Sequence, residues 1–366
     1  MLLANAVVDG DPIAAAAAAA LHHSGDDDAG IRRLKQGAKF SYRDAQGRIV
    51  RDATTLSRIR ALAIPPAWTD VWISADARGH IQATGRDARG RKQYRYHAQW
   101  REVRDAAKYT RLVAFCAALP KLRTSVARDL ACNCLCKAKV IASVVALMER
   151  AQIRIGNEEY ARDNGSYGAT TLRDRHAKIH GDTLELAFRG KSGIARRIRV
   201  TDRRLVRVVR RCRELPGQRL FQYVDGDAVH PISSSDVNDY LRDASGGPFT
   251  AKDYRTWAAT LGAVWLLCGQ DRPASERDCK RCINDVIAAI ATQLGHTPAV
   301  CRASYIHPKV IDDFSADKLA VLARQLKRRT GQVLPGATGA IAVETLRAIE
   351  PVVARYLDLG RRRKHA

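Results

Sequence analysis

Two hydrophobic rhythms divide this chain. Between Gly37 and Tyr96, short apolar stretches alternate with turn residues. Phe40-Ser41-Tyr42 and Ile49-Val50 flank Asp44-Ala45-Gln46-Gly47, the pattern of a hairpin. Val71-Trp72-Ile73 and His80-Ile81-Gln82-Ala83-Thr84 read as further strands, joined by the turn Asp76-Ala77-Arg78-Gly79. Ala53 to Leu62 reads as a short helix stopped by Pro65-Pro66. From Gln99 onward helical spacing dominates. Val140, Val144, Met148 and Ile155 mark one apolar face, so Ala138 to Ala161 is expected to be one helix. Arg154 falls late in it, and Asp163-Asn164-Gly165 ends it. Three strands are expected next, at Thr170–Ile179, Thr183–Phe188 and Ile194–Val200. The linker Gly190-Lys191-Ser192-Gly193 puts Lys191 at a hairpin tip. Helices follow at Asp202–Leu215, Ser235–Arg242, Ala251–Cys268, Arg277–Leu294, Asp317–Arg328 and Thr345–Leu357, with Ser234 and Thr250 as caps.

These elements predict an α+β chain: a small β-rich N-terminal domain, then a larger, mostly α-helical domain with a short three-stranded antiparallel sheet. The expected boundaries are a disordered or weakly ordered tail at 1–29, the β-rich domain at 30–98, the helical domain at 99–358 and a basic tail at 359–366. The alanine run leading into His22-His23-Ser24-Gly25 and Asp26-Asp27-Asp28 has few large side chains with which to build a core.

Charge narrows the partner. The chain has 366 residues and a formal net charge of +24, which favours a polyanion over a neutral ligand. With no long apolar run, nucleic acid is expected before membrane. Met1-Leu2-Leu3 opens without a basic segment, so no signal peptide is read, and a reducing cytoplasm with free thiols is the expectation for the nine cysteines. No metal site is expected. Cys132, Cys134 and Cys136 alternate with one-residue gaps, and Cys279-Lys280-Arg281-Cys282 stands alone, whereas zinc is usually held by about four ligands in paired spacing.

Five residues carry candidate chemistry. Leu294-Gly295-His296-Thr297-Pro298 is followed by Tyr305, nine residues past the histidine. Arg154, Lys191 and Arg255 stand in Arg154-Ile155-Gly156-Asn157, Phe188-Arg189-Gly190-Lys191 and Lys252-Asp253-Tyr254-Arg255-Thr256. Together they form a set able to break a phosphodiester bond without metal. A tyrosine oxygen can attack phosphorus. Arginine and histidine donors can surround the non-bridging oxygens. A lysine can return a proton to the leaving hydroxyl. The order and spacing of these blocks resemble the type IB DNA topoisomerases of the poxvirus-like and bacterial branch. The resemblance extends upstream to the run from Gln82 to Tyr96, which is similar to that family's N-terminal DNA clamp, and spans about Gly30 to Asp313.

The resemblance implies that Tyr305 forms a 3′-phosphotyrosyl link, that Arg154, Arg255 and His296 contact non-bridging oxygens, and that Lys191 is the general acid. It implies DNA contacts by Gln93, Tyr94, Tyr96, Tyr160 and Lys252, and a clamp and catalytic domain that enclose the duplex as a C. Supercoiled double-stranded DNA is the expected substrate, acted on by a monomer in the bacterial nucleoid. No cofactor is expected: no ATP, and a divalent ion that stimulates without being required. The alternatives are a tyrosine site-specific recombinase and a non-catalytic DNA-binding protein. Recombinases usually carry a histidine three residues before the second arginine, where this chain has Lys252.

Overall fold

The computed structural model describes residues 13, 16–17, 19–37, 39–88, 90–271, 273–334 and 341–362, with the backbone alone at 101–107, 110 and 359–362. The chain separates into two compact units, residues 1–111 and 112–366. The α+β reading holds for both.

In the first unit five antiparallel strands form one sheet: β1 (Gly30–Gln36), β2 (Lys39–Arg43), β3 (Thr69–Ser74), β4 (Ile81–Arg86) and β5 (Lys92–Tyr96), in the order β2-β1-β3-β4-β5. Phe40 to Tyr42 pair with β1 along their length, while the expected hairpin to Ile49-Val50 is reduced to a bridge between Arg43 and Ile49 and a bond from Val50 N to the Tyr42 carbonyl at 2.9 Å. Side-chain alternation sends Val71 and Ile73 to one face, where they pack with Ile31, Ala83 and Ile59 of α1 (Ala53–Ala61). Trp72, 1% exposed, points to the other face.

That second face explains why residues 21–29 are not the weakly ordered tail expected. A buried indole needs an acceptor, and Trp72 Nε1 donates to the Asp28 carbonyl at 3.0 Å. Ser24 Oγ donates to the Ile81 carbonyl and accepts from Ile81 N. Asp26 pairs with Lys92 at 2.7 Å, and this contact first of all holds the Asp26 carboxyl below its ordinary range. A polar segment is thus ordered by the unmet hydrogen bonds of the sheet, a signal that hydrophobic patterning cannot carry. Residues 1–12 lie outside the described residues.

The second unit is mainly helical. α2 (Ala98–Ala131) enters it, followed by α3 (Lys137–Ala151), α4 (Glu158–Asn164), α5 (Arg203–Arg213), α6 (Ser234–Ser245), α7 (Ala251–Cys268), α8 (Glu276–Leu294), α9 (Pro298–Ser304), α10 (Pro308–Ser315), α11 (Ala320–Thr330) and α12 (Val343–Arg362). The three-stranded sheet is β6 (Ala177–His180), β7 (Thr183–Arg189) and β8 (Ala195–Thr201); β9 (Gln222–Asp225) and β10 (Ala228–Pro231) add a hairpin. Helix α7 is buried along most of its length and packs against α3, α8, α10, α11 and α12. Part-buried charges tie this bundle together. Arg123 reaches both Glu149 and Glu350 at 2.7 Å, Arg347 reaches Glu149 at 2.7 Å, and Trp257 Nε1 donates to Glu350. No helix among the described residues is long and apolar enough to cross a membrane.

Four local expectations need correction. The single helix at 138–161 is two helices, because Gln152 turns left-handed (φ 50°) and Asn157 caps a new helix by accepting from Tyr160 N. The segment 170–176 forms two short 3-10 turns, leaving only Ala177–His180 as strand. Ser233, not Ser234, caps α6, its hydroxyl accepting from Asp236 N at 3.1 Å. Residues 359–362 continue α12, while 363–366 lie outside the described residues.

The two tyrosines of β5 fall in different surroundings. Their rings stack at 5.9 Å, but Tyr96 packs against Ala16, Ala19, Leu21 and Trp100, whereas Tyr94 is 42% exposed. Tyr96→Ala should therefore lower unfolding free energy by about 2 kcal/mol or more. Tyr94→Ala should leave the melting temperature within a degree or so of wild type, as exposed sites usually do. Equal destabilisation by both, measured by calorimetry, would contradict this division.

Candidate active site

The site assembles at the C-terminal end of α8. Gly295 takes the left-handed conformation (φ 65°) that terminates this helix and is easy only for glycine or asparagine. The chain then turns so that His296 N donates to the Ala291 carbonyl at 2.8 Å. The last carbonyls of a helix lack intrahelical donors. Here arginines from two other elements supply them. Arg196 of β8 donates to the Thr292 carbonyl at 3.1 Å and the Gln293 carbonyl at 2.8 Å. Arg255 of α7 donates to the Leu294 carbonyl at 2.7 Å and to the Gln152 carbonyl.

Arg154 arrives from the link between α3 and α4, not from a helix. That link is pinned from behind: Ala169 N donates to the Arg154 carbonyl at 2.8 Å and Thr170 N to the Ile155 carbonyl at 2.7 Å. The packing is so close that a Cβ on Gly168 would stand 2.5 Å from Gly156 N and 2.7 Å from the Arg154 carbonyl. A guanidinium nitrogen of Arg154 lies 2.9 Å from His296 Nε2 and 3.1 Å from Nδ1.

Tyr305 sits at the end of α9. Its own N–H donates to the Cys301 carbonyl, and its carbonyl accepts from the buried Thr260 hydroxyl of α7 at 3.2 Å. Its ring lies 4.3 Å from the His296 ring and 5.7 Å from the Arg255 guanidinium carbon, between centroids and to the centroid respectively. Only 7% of Tyr305 is exposed. Lys191 stands at the tip between β7 and β8 as expected, exposed to solvent, and lines one cleft with Arg154, Arg196, Arg255 and Tyr167.

Four cations therefore converge with little negative charge among them. Burial first, and then Arg154, pull the Arg255 guanidinium down to about 10. Burial again, then Arg154, Arg255, Lys191 and Arg196, hold the His296 imidazole down at about 3. Arg255 Nε is buried without a hydrogen-bond partner among the described residues. An unpaired buried donor on a guanidinium is costly, and an anion entering this cleft would relieve both the repulsion and that deficit. The chemistry on offer is anion binding beside a phenol.

The remaining candidates divide between the units. Lys252 and Tyr160 are exposed on α7 and α4 of the second unit. In the first unit Tyr94 is open, Tyr96 is partly buried against its core, and Gln93 donates to Asp87 at 3.1 Å. Sequence reading missed Arg196 and Thr260. In a chain with 62 lysines and arginines, nothing in the pattern separates Arg196 from its neighbours, and Thr260 looks like an ordinary helical threonine.

Comparison with known proteins identifies the family. Residues 97–332 match the family model described as eukaryotic DNA topoisomerase I, catalytic core, and residues 39–87 match bacterial DNA topoisomerase IB, N-terminal domain. The chain is 35% identical over 285 residues to DNA topoisomerase 1B of Acanthamoeba polyphaga mimivirus, covering 76% of this chain and 85% of that protein. It is 19% identical over 284 residues to DNA topoisomerase 1B of vaccinia virus (strain Western Reserve) and to DNA topoisomerase I of monkeypox virus, covering 76% of this chain and 88% of each relative. By its matched catalytic core and N-terminal domain, and by its likeness to these viral enzymes over most of its length, the chain belongs to the type IB DNA topoisomerases.

Proposed function

We propose that this topoisomerase relaxes supercoiled double-stranded DNA by cutting one strand through Tyr305, letting the free end rotate and resealing the nick. The observation that carries the proposal is that His296 and Arg255 lie against the Tyr305 ring and Arg154 against His296, with Lys191 lining the cleft beside the two arginines. In the cutting step the Tyr305 hydroxyl gives its proton to water and its oxygen bonds to phosphorus as the bond from phosphorus to the 5′ oxygen breaks. One phosphoester replaces another, so resealing by the reverse step requires no ATP. Arg154 and Arg255 neutralise the non-bridging oxygens, for which planar guanidinium forks are suited. Neutral His296 contributes one N–H. Lys191 delivers a proton to the departing 5′ oxygen. Side-chain cations occupy the role that a metal ion has in other phosphoryl-transfer sites, so a divalent ion is not required.

Lys252, Tyr160 and Tyr94 are proposed DNA contacts on the strength of their exposure. Gln93 and Tyr96 keep that assignment from the family resemblance, with Tyr96 also serving its own core. The bacterial-type N-terminal domain supports action on a bacterial nucleoid in the cytoplasm, and a monomer is carried over from the family resemblance.

Wild-type protein should relax plasmid in excess EDTA without ATP, and Tyr305→Phe should abolish relaxation and the covalent adduct while duplex binding persists. Adduct at normal yield from that variant would sink the nucleophile assignment, and loss of wild-type activity in EDTA would sink the metal-free mechanism.

Lys191→Ala should slow cleavage by about 10²–10⁴-fold, the usual range for a general acid. Sulfur in place of the bridging 5′ oxygen leaves without needing a proton. It should rescue Lys191→Ala but not Arg255→Ala. Equal rescue of both, in single-turnover cleavage, would refute this division of labour.

The pH behaviour of His296 follows from its surroundings. With its folded value near 3 and an ordinary value of 6.5, the unfolded chain binds the extra proton between those limits. This group's contribution to stability is complete above about 6.5 and is lost as pH falls toward 3. In the DNA-free protein the His296 ring should stay neutral from pH 8 to about pH 5 by NMR titration. Arg154→Ala removes a neighbouring cation and should raise the titration point. Titration near 6.5 in the wild type would contradict the electrostatic reading.

A further inference from the structure

The joint between α2 and α3 reads Cys132-Asn133-Cys134-Leu135-Cys136. The one-residue gaps suit a metal knuckle poorly, and in an extended strand such alternate residues would stand roughly 6.6 Å apart. The loop does not run as a strand. The three Sγ atoms lie within 4.8 Å of one another. Cys132 Sγ is 2.8 Å from Cys134 Sγ and 3.9 Å from Cys136 Sγ.

The backbone that brings them together is anchored at four carbonyls. Buried Lys139 donates to the Cys132 carbonyl and Arg211 to the Asn133 carbonyl at 2.7 Å. Val224 N donates to the Leu135 carbonyl at 3.1 Å and Val140 N to the Cys136 carbonyl at 3.2 Å. Leu135 is buried, while Cys132 and Cys134 are exposed. The apolar side chain holds the loop down and the thiols face an open approach.

We propose that Cys132, Cys134 and Cys136 form a three-thiolate site for a soft, thiophilic metal ion of the monovalent copper or zinc class. Three sulfurs bound at about 2.3 Å to one ion stand roughly 3.8–4.0 Å apart. The observed triangle needs only side-chain rotation of the two exposed thiols to meet that spacing. Thiolate donors select such ions over magnesium or calcium. Binding forms three metal–sulfur bonds and releases three protons, with no change of oxidation state. Lys139 of α3 and Arg211 of α5, both bonded to carbonyls of the loop, offset the net negative charge of the complex. Zinc would take a fourth ligand from solvent, whereas monovalent copper can be satisfied by three sulfurs. None of these residues lines the cleft around Arg154 and Lys191, so the site is separate from the proposed chemistry of DNA cleavage.

The test is anaerobic titration of the reduced full-length protein with Cu⁺ against a copper(I) chelator and, separately, with Zn²⁺ against a chromogenic zinc chelator. One equivalent of either ion should be held by the wild type, and which ion competes better identifies the source. Cys132→Ser/Cys134→Ser/Cys136→Ser should weaken that uptake by at least about 100-fold, the upper end for loss of even indirect metal support. Cys279→Ser/Cys282→Ser should retain it. Thermal melting checks that the triple variant is folded; if it is not, the exposed single change Cys134→Ser should still weaken uptake by about tenfold or more. Uptake of neither ion, equal uptake by wild type and the folded triple variant, or loss that follows Cys279 and Cys282 would overturn the proposal. So would a reduced protein that takes no metal and only forms a Cys132–Cys134 disulfide in air.

Discussion

The C-terminal turn of α8 is the constraint on which the site depends. Its last carbonyls bind Arg196 and Arg255, and the negative end of the helix dipole favours cations there. Without those acceptors, two guanidinium groups would not rest beside each other and beside Arg154. The same turn, closed by Gly295, delivers His296 to the cluster. Helix termination, cation placement and histidine placement are one event.

Helix α7 carries that event into the rest of the fold. It presents Arg255 to α8 from its first turns and, further along, Thr260 to the Tyr305 carbonyl. The helix is buried on nearly every side, so neither contact can shift independently. The charged network of Arg123, Glu149, Arg347 and Glu350 joins α2, α3 and α12, and the Trp257 indole ties α7 to Glu350. Removing one partner from such a network leaves an uncompensated charge at a cost of about 3–5 kcal/mol. The bundle thereby holds its central helix in one register.

Burial first, and then the neighbouring cations, depress the values of His296 and Arg255 in the free protein. A site arranged this way is poised for an anion before any arrives. Preorganised donors need no reorientation when charge develops on a phosphate. Lys191 is exposed at its turn, unlike the buried Arg255.

Much of this was legible in the residues themselves. The two rhythms of apolar spacing separated sheet from bundle, α7 was bounded correctly at Ala251–Cys268, and the hairpin tip of Lys191 followed from glycine and serine between two strand patterns. The candidate residues stood out because their blocks occur in order. Sequence periodicity could not show that α3 ends at Gln152, because the apolar face continues through Ile155 while the break is made by contacts with residues 168–170. Nor could it order residues 21–29, whose hydrogen bonds answer to Trp72 and Ile81 across the sheet. Arg196, Thr260 and the clustered thiols of 132–136 were decided only by tertiary structure. Local pattern reports which face of an element is apolar, but the partner of a polar atom is chosen by whichever distant segment has an unmet donor or acceptor within reach.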